Sequence, residues 1–240
     1  MDQIPEFVDE RQKGFCIHCG ATINESKSTR DHVPSKCLLK TPYPENLPVV
    51  QVCKTCNEGF SEDEEYLVAF LGCVLAGSTD PSRQTNATAQ RILQRSEGLR
   101  QRIESSKREL ETPNGERRLV WQPESERAKK VLVKNARGHA FYEYGELLFE
   151  DPNDVWWSPL ESLTIEQRVE FEELNSAGSL APWPEVGSRM MTRVVTGQDM
   201  IGPWVLVQDG VYRYTVEQQG RMLVRIVLFE YLAAEVYWEG

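Results

Sequence analysis

The spacing of apolar residues changes character twice along the chain. Up to about residue 60 the apolar residues come in short runs rich in β-branched side chains. "VPSKCLL" (33–39) and "LPVVQVC" (47–53) are two such runs, separated by the proline-rich "KTPYPENLP", and the pattern predicts β-like stretches joined by a loop. From about 61 to 150 the period lengthens to that of a helix. Ser61 and Glu64 have the spacing of a capping box ahead of "YLVAFLGCVLAG". Asp80-Pro81 offers a second helix start, and after Pro123 the residues Ala128, Val131, Leu132 and Ala136 recur near one helical face. Between these helices, Asn114-Gly115 predicts a turn closing a hairpin of "RELET" and "ERRLVWQ". Beyond about 151 come tryptophan-rich loops, "VWWSP" and "APWPEVG". The alternating runs "RMMTRVV", "WVLVQ", "VYRYTVE" and "MLVRIVLFEYLAAEVYW" follow, with turns at Asp209-Gly210 and Gln219-Gly220. Such alternation predicts an antiparallel sheet. The chain is therefore expected to be α+β in three parts: 1–65, a helical 66–150, and a sheet-bearing 151–240.

Composition refines this only in places. The 240 residues suffice for one large domain or two small ones, and a hydrophobic fraction of 40% is ordinary for a globular chain. No apolar run approaches the roughly 18 residues of a membrane span, and the acidic start "MDQIPEFVDERQKGF" lacks the apolar core of a secretory signal. A cytoplasmic protein that meets no membrane is expected. The net charge of −10 argues at first against a nucleic-acid partner, but it is unevenly spread. Residues 83–138 hold 14 Lys/Arg against 7 Asp/Glu, whereas residues 139–240 hold 6 against 17. The middle is basic and the end acidic.

Six cysteines stand at 16, 19, 37, 53, 56 and 73, and four of them form the pairs Cys16-Ile17-His18-Cys19 and Cys53-Lys54-Thr55-Cys56. A single C-x-x-C beside a βαβ unit would read as a redox motif. Two pairs read as two knuckles that close one tetrahedral four-sulfur zinc site, with Gly20 suited to the tight turn after the first. On this reading Cys37 and Cys73 are ordinary buried thiols, and His18, inside the first knuckle, is a surface side chain in preference to a fifth candidate ligand.

Between the knuckles lie Asp31-His32-Val33-Pro34 and then Asn46-Leu47, and Asn57 directly follows the second knuckle. In this order and spacing, over about residues 14–65, the chain resembles the HNH endonuclease family. Asn57 stands where many members carry a histidine, which makes this an HNN variant. The resemblance implies a zinc-stabilised ββα-metal finger: a strand with Asp31 and His32, a loop with Asn46, a second strand, and a short helix with Asn57. It also implies metal-dependent hydrolysis of phosphodiester bonds. His32 would be the general base, Asp31 and Asn57 would ligate a catalytic Mg²⁺ or Mn²⁺, and Asn46 would support the loop. Adjacent residues of a regular strand point to opposite faces, so bringing Asp31 and His32 to one phosphate calls for a strand end or a bulge near Pro34.

DNA is the expected substrate, with RNA left open, and the family context suggests defence against foreign DNA. Arg30 and Lys36 flank the motif. Arg91, Arg95, Arg100 and Arg102, within a longer run from Arg83 to Arg108, form a candidate phosphate track. Lys129, Lys130, Lys134, Arg137 and His139 form a further basic stretch. The acids Glu62 to Glu65 read as the negative first turn of a helix. Two other functions compete with a DNA nuclease: a non-catalytic zinc-finger adaptor and an RNA-cutting toxin. The acidic 151–240 part is expected to bind a regulatory partner, to form a homodimer, or simply to cap the helices.

Overall fold

The computed structural model describes residues 1, 13–23, 28–111, 117–173, 183–218 and 220–239. The fold is mixed α+β, with six α-helices and ten strands among the described residues. It divides into two compact units. One holds residues 1–58 together with 132–240, and the other holds 59–131. No helix among the described residues is long and apolar enough to cross a membrane.

In the first unit, β1 (Ser28–His32) and β2 (Val49–Cys53) form an antiparallel hairpin in unbroken register from Ser28↔Cys53 to His32↔Val49. Helix α1 (Lys54–Ala76) starts directly after Cys53. The inner face of the hairpin contributes Val50 and Val52 to a core with Cys16, Ile17, Ile23, Val33 and Phe141. Phe141 belongs to α4 (Ser125–Tyr144), whose C-terminal half lies in this unit.

The rest of the unit is a six-stranded antiparallel sheet in the order β5-β10-β9-β8-β7-β6, comprising Asp154–Pro159, Leu232–Glu239, Arg221–Leu228, Tyr212–Gln218, Trp204–Gln208 and Met200–Ile201. Helix α5 (Ile165–Glu173) covers part of one face through Phe171, which packs with Leu160, Trp204, Val227 and Ala233. The face carrying Tyr212 and Tyr214 receives α4. The ring of His139 stacks on Tyr214 at 3.6 Å and its Nε2 lies 2.8 Å from the Tyr212 hydroxyl. Arg193 of α6 (Arg189–Thr196) is fully buried and pairs with Glu143 at 3.0 Å and Asp199 at 2.9 Å.

In the second unit, the remainder of α1 is followed by α2 (Ala87–Arg95), capped by the Asn86 side chain, and α3 (Glu97–Ser105), capped by Ser96. The strands β3 (Lys107–Glu111) and β4 (Arg117–Trp121) pair as the flanking sequence predicts; the turn residues Asn114 and Gly115 lie outside the described residues. Tyr66 accepts a hydrogen bond from the Glu124 backbone N–H, and Arg127 pairs with Asp63 at 2.6 Å.

The structure corrects several local expectations. Ser61 and Glu64 do not cap a helix, because α1 already begins at Lys54 and passes straight through them. "VPSKCLL" is not a strand; after Pro34 the chain turns into a short 3-10 helix, Lys36–Leu38. Asp80 caps only one 3-10 turn, Pro81–Arg83. "VWWSP" is strand β5 rather than a loop, since it pairs along the edge strand's neighbour β10. "RMMTRVV" is helix α6: Ser188 caps its start and Gly197, with φ of 74°, stops it, while Arg189, Met190 and Arg193 share the buried side. The last long run breaks at Phe229-Glu230, both at positive φ, into β9 and β10. The turn at Gly210 is as expected; Gln219 lies outside the described residues.

Candidate metal and active site

The first knuckle sits at the tip of a small turn. The Gly20 N–H donates to the Cys16 carbonyl at 2.9 Å, with Gly20 at φ of 70°, and the Cys16 N–H donates to Ala21. In the second knuckle Cys53 ends β2 and Cys56 lies in the first turn of α1, its N–H donating to the Cys53 sulfur at 3.4 Å. The four sulfurs of Cys16, Cys19, Cys53 and Cys56 all lie within 4.8 Å of one another, and Cys19 and Cys53 are 3.8 Å apart. Tetrahedral zinc with bonds of about 2.3 Å places its sulfurs about 3.8 Å apart, so the donor set and spacing fit. None of the six cysteines is in a disulfide. Burial and then the Cys53 thiol push Cys56 up. Burial also raises Cys53, but the Cys56 N–H and the neighbouring thiols outweigh it and bring Cys53 down. Among the described residues no other group of three or more His, Cys, Asp or Glu side chains converges on one point.

Asp31 and His32 diverge. The register of β1 is regular through His32, so no bulge turns the two side chains together. Asp31 points inward and is only 8% exposed. Both of its oxygens are taken by Lys134 of α4, at 3.1 Å from Oδ1 and 3.0 Å from Oδ2. Lys134 is 4% exposed and also donates to the Ser35 hydroxyl at 2.8 Å. His18 is not the surface residue its position suggested. It is buried, with Nε2 3.8 Å from Asp31 Oδ2, and its carbonyl accepts from Arg137 at 3.3 Å. Burial would raise the Asp31 carboxyl, but hydrogen bonding to His18 and the charge of Lys134 bring it below its ordinary value. Burial lowers the His18 pKa.

His32 is half-buried on the opposite face, the face that carries exposed Arg30. Burial first, then the positive charge of Lys36, lowers its pKa; Arg30 acts in the same direction and Asp31 opposes it. A neutral imidazole at neutral pH, within electrostatic reach of two cations, is the result. Lys36 itself lies over the Tyr43 ring at 5.5 Å. Asn57, in the first turn of α1, donates from Nδ2 to Thr29 Oγ1 at 3.0 Å, and Thr29 shares a strand face with Asp31. Asn46 lies in the exposed loop before β2 at φ of 56°, and its side chain makes no hydrogen bond among the described residues.

Lys134, Arg137 and His139 were grouped above with Lys129 and Lys130 in one basic stretch; these three are buried. This one stretch of α4 is what the motif lacked. Asn135 accepts from the Ser35 N–H at 2.9 Å, Lys134 holds Asp31, and Arg137 holds the first knuckle and the carbonyls of Phe149 and Glu150. Gly138 is the close approach: a Cβ there would lie 2.8 and 2.9 Å from the Val33 methyls. Gly138→Ala gains about 1 kcal/mol in helix propensity but overpacks the contact by about 1–3 kcal/mol. A net loss on the order of 1 kcal/mol is expected, read as a lower denaturant midpoint at unchanged slope. A variant as stable as the parent would show that the loop after β1 yields freely.

The arginine track lies in the second unit and is largely paired. Arg95 meets Glu65 at 2.6 Å, Arg102 meets Glu124 at 2.6 Å, and Arg100 meets Glu97 at 3.6 Å, while Arg91 reaches Thr88 at 3.5 Å. Exposed pairs of this kind are worth at most about 1 kcal/mol, so they do not bar a phosphate. Cys73 is buried as expected, its thiol pushed up to about 12 by burial and then by Glu104. Cys37 is only partly buried. Comparison with protein-family models, with curated proteins and with solved structures finds no match for this chain.

The structure thus defines a four-cysteine metal centre compatible with structural zinc, set beneath a hairpin and a helix start. For a second, divalent ion the residues fit poorly as they stand. The oxygens of Asp31 are engaged by Lys134, and Asn57 is the one other oxygen ligand implied by the motif.

Proposed function

We propose that the chain is a zinc-stabilised, HNH-type nuclease that hydrolyses phosphodiester bonds, DNA being the first substrate to test. On this reading β1, β2 and the start of α1 form a ββα-metal finger, and the knuckles hold its base. The observation that carries the reading is the open face of the hairpin. His32 stands there half-buried, neutral at neutral pH and within the field of Arg30 and Lys36. A phosphodiester needs cations beside its oxygens and a base for the attacking water. Arg30 and Lys36 would attract and orient the phosphate, and His32 would take the proton. Because Asp31 is ion-paired, no step is assigned to a divalent ion.

A second reading has its own support. The buried Asp31–Lys134 pair suits a structural role, which is all that a non-catalytic zinc-finger adaptor requires. The deciding experiment incubates zinc-loaded protein with plasmid and with RNA, in Mg²⁺, Mn²⁺ or EDTA, alongside His32→Ala. Cutting by the parent and none by the variant is expected. Binding without cutting under every condition would favour the adaptor.

A further inference from the structure

On the side of the six-stranded sheet that α5 covers, one arrangement recurs: an aromatic ring, a guanidinium over it and a carboxylate beside the guanidinium. Arg213 of β8 lies 4.4 Å over the Trp204 ring and pairs with Glu172 at 2.7 Å and Glu230 at 2.9 Å. Arg225 of β9 lies 5.6 Å from the centre of the Phe171 ring and pairs with Glu235 at 2.7 Å. Trp156 of β5 is the third ring. It stands directly opposite Glu235 in register, its centroid is 6.1 Å from that of Phe171, and it is 37% exposed. Among the described residues no cation lies over it. The Glu170 carboxylate of α5 likewise has no hydrogen bond or ion pair among the described residues. Trp156 and Glu170 line one recess of about 250 Å³ together with Phe171, Arg225 and Glu235, and Leu163 adds an apolar edge.

This recess holds two ring-and-carboxylate sets and one arginine. Arg225 neutralises Glu235, and Glu170 leaves the lining with an excess negative charge. A planar guanidinium stacks on an aromatic face and pairs with a carboxylate at its edge, which an ammonium does less well. We propose that the recess is a docking site for an arginine side chain of a basic partner polypeptide, its guanidinium stacked on Trp156 and paired with Glu170, its methylene stem against Leu163. The size suits one side chain, being below the roughly 300–1,000 Å³ of a small-molecule pocket. The surrounding charge selects the partner. Residues 139–240 hold 6 Lys/Arg against 17 Asp/Glu, a field that draws in a basic chain and repels phosphates. The inference stands apart from the nuclease reading and gives the acidic part of the chain a binding role of its own.

The test uses zinc-loaded, full-length protein and the capped peptide Gly-Arg-Gly. Nuclear magnetic resonance follows the Trp156 indole N–H, assigned by its loss in Trp156→Phe. The peptide should shift this signal saturably. The same peptide with citrulline, which keeps the shape of arginine but is neutral, should not. Glu170→Gln should weaken the arginine peptide about threefold or more, the size expected for losing one partly exposed ion pair. Asp209→Asn removes the same charge at the exposed β7–β8 turn and should leave the affinity unchanged. No saturable shift with the arginine peptide overturns the proposal, as does an equal shift with citrulline. Unchanged affinity in Glu170→Gln, or an equal loss in Asp209→Asn, also overturns it, since the binding would then be due to diffuse charge.

Discussion

Cys53→Ser is expected to abolish zinc binding and to unfold the region before residue 58. The parent should carry about one zinc per chain, the count for one four-sulfur site. Structural zinc contributes an apparent 10–16 kcal/mol or so in small metal-bound modules, which equals or exceeds the whole stability of a typical domain. Little else could replace it here. The hairpin is only two strands of five residues, and isolated pairs of that size are marginal in water. Cys16 is itself a core residue, packed with Ile17, Val50 and Val52, so loss of the metal releases the first knuckle and opens the core beneath it. His18 would go with it, and with His18 one side of the enclosure around Asp31. The expected signature is loss of amide protection across β1 and β2, with protection in β8 and β9 largely kept, since those strands lie inside the six-stranded sheet. Metal analysis of freshly purified, folded parent protein showing no zinc would end this account.

The legible part of the site was the part written locally. A C-x-x-C knuckle is four consecutive residues, and two of them specify one tetrahedral centre almost regardless of what lies between. Strand β2 and the alternating runs that form β7 to β10 were likewise readable, because a half-buried strand shows its period in its own residues, whereas β1 was expected only through the family resemblance and the pattern pointed instead to residues 33–39. What stayed hidden was long-range or depended on backbone handedness. Lys134, Asn135, Arg137 and Gly138 look like an ordinary basic helix, and nothing in their own spacing says that they close on Asp31, Ser35, His18 and Val33 a hundred residues earlier. A faint signal existed: a glycine in mid-helix, unfavourable by about 1 kcal/mol, usually marks a close approach. The turn at Phe229-Glu230 gave no signal at all, since both residues adopt positive φ where Asn-Gly would be usual. In α6 the pairs Met190-Met191 and Val194-Val195 imitate a strand, and only Ser188 and Gly197 betray the helix.

His32→Ala is expected to leave fold and zinc intact and to lower the cutting rate by about 10² to 10⁴, the usual range for removing a general base. The structural side of this expectation follows from position. His32 is the last residue of β1 and only half-buried, on the face away from the core, so truncation opens no cavity. The chemical side follows from its charge state. Burial and Lys36 hold its pKa below the ordinary value, so the imidazole is neutral and able to accept a proton at pH 7. Replacing Arg30 and Lys36 by Ala should do the reverse of the histidine variant. Binding should weaken and depend less on salt, by a slope of about one unit per lost phosphate contact, while the rate at saturating substrate is kept. The two sets of variants therefore separate along different axes, kcat for His32 and affinity with its salt slope for Arg30 and Lys36. A His32→Ala protein that binds and cuts like the parent, in the same metal and salt, would remove catalysis from this face and leave the zinc-held hairpin as a binding surface.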